Sequence, residues 1–110
     1  MYTYNASVVR VVDGDTIQLN IDLGFKMFYK TNCRLNGLNA SELNSKDVDE
    51  RISALASKSF LESQLPQGET IKIVSKSLDK YGRALVEIYK GDVNINEVML
   101  DLGHAKPYNV

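Results

Sequence analysis

Two turn signals, Asp13-Gly14 and Leu23-Gly24, divide the first third of the chain into three stretches that have the pattern of β-strands. Residues 6–12 are rich in valine. In 16–21, and again in 25–35, apolar and polar residues alternate, which is the period of a strand with one buried face. Three consecutive strands of this kind must cover their apolar face with another layer or close into a barrel.

The middle of the chain has the period of an amphipathic helix. Asp47 and Glu50 have the spacing of a capping pair, and Leu65-Pro66 marks the end of the helix. The apolar residues between these signals recur at helical spacing and predict one buried stripe. That stripe consists of Val48, Ile52, Leu55, Ala56 and Phe60.

Two more strands are predicted at 71–74 and 84–89, followed by a short helix that Asn94 and Glu97 are placed to cap. Five short strands are too few for a sandwich, and closure into a barrel removes the exposed sheet edges. The predicted fold is mainly β with α: a five-stranded OB-fold β-barrel with one helix between strands 3 and 4 and a short C-terminal helix.

The length and the charge of the chain restrict its function. Its 110 residues suit one domain, which we take as residues 1–110, and we expect a monomer. The net charge of −1 argues against a protein that grips long nucleic acids non-specifically. Any phosphate-binding surface must therefore be a local patch.

The sequence also carries information on the compartment. The single cysteine, Cys33, excludes an internal disulfide and fits a reducing environment. Residues 1–10 lack the apolar run of a signal peptide, and no apolar stretch of about 18 residues occurs in the sequence. We expect a cytoplasmic chain without a membrane partner, and secretion stays open in case a signal was removed.

Three local groups of polar residues suit phosphate chemistry. In Asp13-Gly14-Asp15-Thr16, two carboxylates at a tight turn offer the oxygen ligands that Ca²⁺ or Mg²⁺ prefers. Arg34, on the polar face of its strand, can hold a phosphate, and Glu42 on the next loop can act as general base. In Asp79-Lys80-Tyr81-Gly82-Arg83, basic side chains flank a tyrosine. Each group by itself is also typical of a solvated turn or loop.

Together, the order and spacing of these groups resemble the staphylococcal nuclease (thermonuclease) family. Asp-Gly-Asp-Thr at a hairpin is followed by an arginine eight residues before a loop glutamate, and then by Asp-Lys-Tyr-Gly-Arg. Asn96-Glu97, Leu102-Gly103 and Ala105-Lys106 look like that family's final helix and the strand after it. The resemblance runs from about Val8 to Lys106.

The resemblance implies a Ca²⁺-dependent nuclease that hydrolyses phosphodiester bonds of DNA or RNA by attack of water. It further implies an endonuclease that prefers single strands. Its catalytic residues would be Arg34, Glu42 and Arg83. The two arginines would hold the phosphate and stabilise the charge of the transition state, and Glu42 would orient or deprotonate the attacking water.

The resemblance also implies where the cation and the rest of the substrate bind. The metal ligands would be Asp15, Asn39 and the backbone carbonyl of Ala40. Lys80 and Tyr81 would contact the neighbouring phosphate. DNA or RNA is then the expected partner and one Ca²⁺ ion the expected cofactor.

The chain departs from the family pattern in the loop that carries Glu42. Asn39 stands where the family usually has a second acidic ligand, so weaker metal binding is expected. Ala40-Ser41 stands where the family has Thr-Pro or Ala-Pro, and the loss of proline frees the backbone of the loop. We expect a slower enzyme, or one that needs more metal.

A third departure is at the C-terminus, where family members usually continue into a further helix. The family's tyrosine that packs on the substrate base would fall at Asn109 in an ungapped match, and Tyr108 is an alternative. The only histidine, His104, is expected to cap the last helix and has no catalytic role.

Two other interpretations remain open. A degenerate nuclease-like OB domain would bind nucleic acid or a protein without cleaving; the missing acidic ligand and the acidic net charge favour it. The joint presence of Asp15, Arg34, Glu42 and Arg83 argues against it. The other interpretation is a plain small barrel in which all these charged side chains lie on solvent-exposed faces. It leaves their joint spacing unexplained.

Overall fold

The computed structural model describes residues 2–108, which form a closed barrel of five long strands with two helices outside it. The barrel strands are β1 (Tyr2–Asp13), β2 (Thr16–Gly24), β3 (Met27–Leu35), β5 (Thr70–Leu78) and β6 (Ala84–Lys90). Three two-residue strands are β4 (Leu38–Asn39), β7 (Val93–Asn94) and β8 (Lys106–Pro107). The helices are α1 (Val48–Gln64), between β4 and β5, and α2 (Ile95–Asp101).

The long strands follow the order β3-β2-β1-β5-β6, and each pair in this order is antiparallel. A parallel pairing from Cys33↔Ala84 to Leu35↔Val86 joins β3 to β6 and closes the barrel. The predicted five-stranded OB-fold barrel, with α1 between the third and fourth long strands and α2 near the C-terminus, is therefore confirmed. Closure brings the end of β3 next to the start of β6.

The alternation in β2 and β3 places one face of the hairpin in the core only for part of its length. Ile17, Leu19 and Cys33 have no exposed surface. Pairing with β1 ends at Ala6↔Ile21, whereas β2 and β3 continue to pair as far as Gly24↔Met27. The hairpin therefore extends past the barrel. Apolar residues near its tip stay exposed for that reason.

The predicted buried stripe of α1 is wrong for most of its members. Val48, Ile52 and Leu55 are more than half exposed, and Ala56 is exposed as well, whereas Phe60 is half-buried against the core. The face that the helix buries consists of Ala54, Ser57 and Leu61. The residue of this face next to the β1–β2 turn, Ser57, is small, which allows α1 to approach that turn closely. A Cβ built on Gly14 would lie 2.8 Å from the Cβ of Ser57.

The helix begins at the predicted residue with a different bonding pattern. Asp47 is the N-cap, but its carboxylate accepts from the backbone N–H of Asp49 at 3.0 Å. Glu50 does not complete a capping pair with it. Its carboxylate accepts instead from the hydroxyl of Ser45, at 2.8 Å, and so ties the preceding loop to α1.

The second helix has the predicted N-terminal cap. The Asn94 side chain accepts from the N–H of Glu97 at 3.2 Å, and Gly103 follows the helix with a φ of 76°. His104 caps through its backbone, since its N–H donates to Met99 O at 2.9 Å, while its ring stacks on Phe60 with centroids 4.5 Å apart. Within residues 2–108, no helix is long and apolar enough to cross a membrane.

Candidate active site

A cavity of about 600 Å³ opens at one end of the barrel, where the β1–β2 turn, the end of β3, the loop after β4 and the β5–β6 turn meet. All eight residues that the resemblance singled out line it. They are Asp15, Arg34, Asn39, Ala40, Glu42, Lys80, Tyr81 and Arg83. The structure thus brings together segments that are far apart in the chain, and the role of each residue is a separate question.

The Asp15 carboxylate lies on the buried side of the cavity and is held by hydrogen bonds. Its Oδ1 accepts from the hydroxyl of Thr16 at 3.1 Å, and its Oδ2 accepts from the backbone N–H of Ala40 at 3.0 Å. The backbone carbonyl of Asp15 also accepts from the N–H of Leu35 at 2.8 Å. These contacts connect the β1–β2 turn to β3 and to the loop after β4, so the carboxylate has a fixed position.

Two acidic groups share this turn, and they differ in pKa. Burial raises the pKa of Asp13 to about 6, and the hydrogen bond to Asp15 and the negative charge of Asp15 add to the shift. Burial also opposes ionisation of Asp15. Hydrogen bonds from Asp13, from the Ala40 N–H and from Thr16, together with the charge of Arg34, outweigh burial and lower the pKa of Asp15. Asp15 is therefore the carboxylate that stays ionised.

The Arg34 side chain lies beside the β1–β2 turn and is largely buried. Its Nη2 donates to the Leu38 carbonyl at 3.2 Å and to Asn39 Oδ1 at 2.9 Å, and it lies 3.7 Å from Asp15 Oδ2. The guanidinium carbon lies 5.1 Å from the centre of the Tyr108 ring. A guanidinium fixed on these sides is restricted in orientation, which suits it to bind a planar anionic group.

The β5–β6 turn is organised by Asp79. Its Oδ1 accepts from the backbone N–H groups of Tyr81, at 2.9 Å, and Arg83, at 2.8 Å, and its Oδ2 accepts from Arg83 Nε at 2.7 Å. These bonds outweigh the effect of burial and lower the pKa of Asp79. Within residues 2–108 the Arg83 side chain donates through Nε alone, so its terminal amino groups remain for a ligand in the cavity.

The ring of Tyr81 lies between two cationic side chains at the mouth of the cavity. The Lys80 ammonium is 5.2 Å and the Arg83 guanidinium carbon 5.6 Å from the ring centre. Tyr81 and Lys80 are exposed. This part of the site offers positive charge and an aromatic face to solvent, which suits a phosphate with an attached base.

Glu42 stands on the loop after β4 and is exposed. Within the described part of the chain, its carboxylate has no hydrogen bond or ion pair, whereas its backbone N–H faces Glu50 Oε1 at 3.5 Å. The Glu50 carboxylate also accepts from the Ser45 hydroxyl, so α1 restrains the loop that carries Glu42, in which the family's proline is missing. A carboxylate that no side chain of the described residues engages is accessible to a water molecule in the cavity.

The chemistry of the donors around Asp15 fits a hard divalent cation. Asp15, Asn39 and Ala40 all line the cavity. They carry a carboxylate, an amide oxygen and a backbone carbonyl, which are kinds of oxygen ligand that Ca²⁺ prefers. Within residues 2–108, no three His, Cys, Asp or Glu side chains cluster as metal ligands. The amide of Asn39 accepts from Arg34, so a cation would compete with the guanidinium for that oxygen.

The family model described as staphylococcal nuclease homologue matches residues 32–110 of this sequence, which include the end of β3, the loop with Glu42 and the β5–β6 turn. The chain belongs to the staphylococcal nuclease family. The match covers more than half of the chain, and the barrel and the site geometry agree with it. The predicted resemblance is thereby confirmed.

Relatives of this family member are known from bacteria. It is 30% identical over 106 residues to an uncharacterized protein of Bacillus anthracis, covering 94% of this chain and 47% of the relative. It is 32% identical over 102 residues to proteins of Escherichia coli O157:H7 and of Escherichia coli that are named uncharacterized endonuclease, covering 92% of this chain and 59% of each relative. The chain spans about half the length of these curated relatives.

Sequence reasoning did not identify all residues that shape this family member's site. Asp79 was read only as part of a turn, although its spacing of four residues from Arg83 was a usable signal for an ion pair. Glu50 was assigned to a cap. Tyr108 was named as an alternative ring, and it does line the cavity, whereas Asn109 lies outside the described residues. His104 lines a neighbouring cavity of about 320 Å³.

Proposed function

We propose that this chain is a nuclease that hydrolyses phosphodiester bonds in DNA or RNA, with Ca²⁺ as cofactor and water as nucleophile. The observation that carries the proposal is that Arg34, Arg83 and Glu42 converge on one cavity, where the Glu42 carboxylate has no partner among residues 2–108. Family membership and the two Escherichia coli relatives named endonuclease add support. Endonucleolytic cleavage of single strands is the mode we propose.

The two guanidinium groups would bind the scissile phosphate from different sides of the cavity. Arg34 comes from β3 and is restrained by Leu38 and Asn39, while Arg83 comes from the β5–β6 turn and is restrained by Asp79. Negative charge on the phosphoryl oxygens increases in the transition state. Donors that already point at those oxygens stabilise that charge without having to reorganise.

Glu42 would take a proton from the attacking water. Asp15, Asn39 and the Ala40 carbonyl would hold the cation, which when bound would offset part of the phosphate's negative charge. Asp15 suits this role because it stays ionised where it is buried, as its lowered pKa indicates. Lys80 and Tyr81, at the mouth of the cavity, would contact the next nucleotide.

The direct test is cleavage of end-labelled single-stranded DNA and RNA with Ca²⁺ and with a chelator. Glu42→Gln should abolish most of the cleavage, because the amide cannot accept the proton. Glu62→Gln, an exposed glutamate on α1, is the matched control and should cleave like the wild type. Wild-type rates for Glu42→Gln would remove the general base from the proposal.

A second candidate is a domain that binds nucleic acid without cleaving it. The hydrogen bond that commits the Asn39 amide oxygen to Arg34 favours it, because a neutral ligand already paired with a cation attracts Ca²⁺ less than a carboxylate does. Folded protein that binds the probes but does not cleave at millimolar Ca²⁺ would support this candidate. Cleavage gained by Asn39→Asp would then identify the missing ligand as the cause.

A further inference from the structure

The outer edge of β3 has no neighbouring strand along most of its length. On one side, β3 pairs with β2 from Met27 to Arg34. On the other side it meets β6 only at its last three residues, from Cys33 onward. Within residues 2–108, no strand pairs with the outer side of residues 27–32, which we call the free edge. The free edge is about 20 Å long at about 3.3 Å per residue, and it runs from the hairpin tip to the point where β6 begins.

The backbone groups that point outward along the free edge follow from the register. Just after β3, the N–H of Asn36 donates outward to the Val86 carbonyl of β6 at 2.9 Å. Backbone groups alternate in direction along a strand, and the β2–β3 register is regular over residues 28–34. The N–H and C=O groups of Phe28, Lys30 and Asn32 therefore point away from β2, where no strand of the described residues receives them.

The side chains of the free edge do little to prevent pairing with another strand. Soluble proteins commonly protect such an edge with proline, a bulge or several charges. Residues 27–32 contain no proline, and Lys30 is their only charged residue. Their apolar members are exposed: Met27 by 61%, Phe28 by 60% and Tyr29 by 56%. An edge with these properties is suited to accept a further strand.

A second copy of this chain offers an edge that complements the free edge. Two copies joined antiparallel about a two-fold axis perpendicular to the sheet keep the same sides together, so one residue lies opposite itself on the axis. With Lys30 on the axis, two lysines would face each other, and with Phe28 on the axis, Lys30 would face Lys26. With Tyr29 on the axis, Lys30 faces Phe28 and Lys26 faces Asn32. Opposed like charges destabilise a sheet, whereas a lysine is attracted to an aromatic ring, so charge favours Tyr29.

The length of the free edge favours the same register. Tyr29 is the middle of the stretch from Lys26, in the hairpin turn, to Asn32, the last residue before β6 joins. With Tyr29 on the axis, the tip of each copy therefore ends where β6 of the other copy begins. Lys30 on the axis would instead drive each tip against that strand. In the Tyr29 register, the Phe28–Lys30 pairs have outward backbone groups on both strands and can exchange hydrogen bonds.

We propose that this protein forms a two-fold symmetric dimer in which the free edges of two copies pair antiparallel, with Tyr29 on the axis. On one side of the joined sheet, Phe28 packs against Lys30 of the second copy. On the other side, the two Tyr29 rings pack together with the Met27 side chains. The pairing is closed, because each copy uses the same edge. The dimer replaces the monomer that the length of the chain led us to expect, and it does not depend on the proposed function.

Cysteine cross-linking of the full chain tests the register. In Tyr29→Cys, two thiols face each other in a pair whose Cα atoms lie about 4.5 Å apart, a separation that a disulfide spans. Mild oxidation should convert this variant to a covalent dimer on a non-reducing gel. In Phe28→Cys and Lys30→Cys, the two thiols are diagonal neighbours about 7–8 Å apart, so these matched controls should stay largely uncross-linked. The native Cys33 is fully buried and does not take part.

Sedimentation equilibrium tests the pairing without a new cysteine. It is recorded from about 10 μM to about 1 mM protein, because a short edge forms a small interface of the weak class. The dimer fraction of the wild type should rise over this range. Lys30→Pro removes an outward N–H and keeps the hydrogen bonds to β2, so it should sediment as a monomer. Lys30→Ala keeps that N–H and should still dimerise, and circular dichroism verifies that both variants are folded.

Each outcome bears on the dimer and not on cleavage. A wild type that is monomeric at every concentration overturns the proposal, as does dimerisation of folded Lys30→Pro at the wild-type level. If Lys30→Pro does not fold, the cross-linking result decides. Tyr29→Cys that cross-links no faster than Phe28→Cys and Lys30→Cys overturns the register. Faster cross-linking of Tyr29→Cys, together with a dimer of the wild type, supports the proposal whether or not the protein cleaves nucleic acid.

Discussion

Gly14→Ala should lower both the stability of the protein and the activity of the candidate active site, because the loop after β4 and helix α1 both contact the β1–β2 turn at this residue. A Cβ built on Gly14 would lie 2.8 Å from the Cβ of Ala40 and 2.8 Å from the Cβ of Ser57. Carbon atoms in contact prefer about 3.5–4.0 Å. Since both neighbours are short side chains that cannot rotate away, the loop and α1 would each have to retreat by about 0.7 Å or more.

The magnitude follows from the cost of overpacking. Forcing one extra carbon into a packed site typically costs about 1–3 kcal/mol. Unfolding entropy of about 2.1 cal/mol/K per residue gives roughly 0.23 kcal/mol/K for 110 residues, so Tm should fall by about 4–13 °C. Ala40 also holds the Asp15 carboxylate through its N–H, and a displacement close to an ångström can reduce the cleavage rate by about a hundredfold.

Thermal melting by circular dichroism and the cleavage assay, run well below Tm, measure the two effects separately. Gly91→Ala in the β6–β7 turn is the control. Its φ is 61°, and no atom lies within 4 Å of its Cβ position, so alanine strains only the backbone there. It should lower Tm and leave the cleavage rate of folded protein unchanged. If Gly14→Ala has the Tm and the rate of the wild type, the close approach of α1 to this turn is refuted.

Three further experiments test other parts of the structure. Asn96→Ala should lower the free energy of unfolding by about 3 kcal/mol or more, measured by urea denaturation, because the buried amide bonds to the Val86 and Asn36 carbonyls and to the Ile88 N–H. Burial raises the pKa of Cys33 to about 11, so Ellman's reagent at pH 8 should react only after denaturation; rapid reaction of native protein would contradict this burial. Asp79→Asn should lower Tm at neutral pH. The pKa of Asp79 is lowered in the folded state. The contribution of its carboxylate to stability is therefore full above the unfolded pKa of about 3.9 and is lost as the pH falls through the folded pKa. The Tm values of the wild type and of Asp79→Asn should accordingly converge below about pH 4.

Much of the fold followed from local patterns. Alternation and the Asp13-Gly14 turn located the first hairpin, and Asn94 located the start of α2, because these signals depend on neighbours in the chain. The candidate site was predicted through motif spacing, and its residues do line one cavity, while their roles stay predictions. The Asp79–Arg83 contact and the Glu50 restraint were overlooked, although both act over short sequence distances.

The sequence by itself determined the strand periods, the turns, the helix ends and the order of the site residues, since each depends on residues a few positions apart. Only the tertiary structure decided which face of α1 is buried. The most apolar stripe stays outside because the helix approaches Gly14 closely through the small Ser57, on the face that it shares with Ala54. Likewise, Arg34 and Arg83 share a cavity because β3 pairs with β6. That closure depends on the twist and stagger of five strands together, which no local segment of the sequence contains.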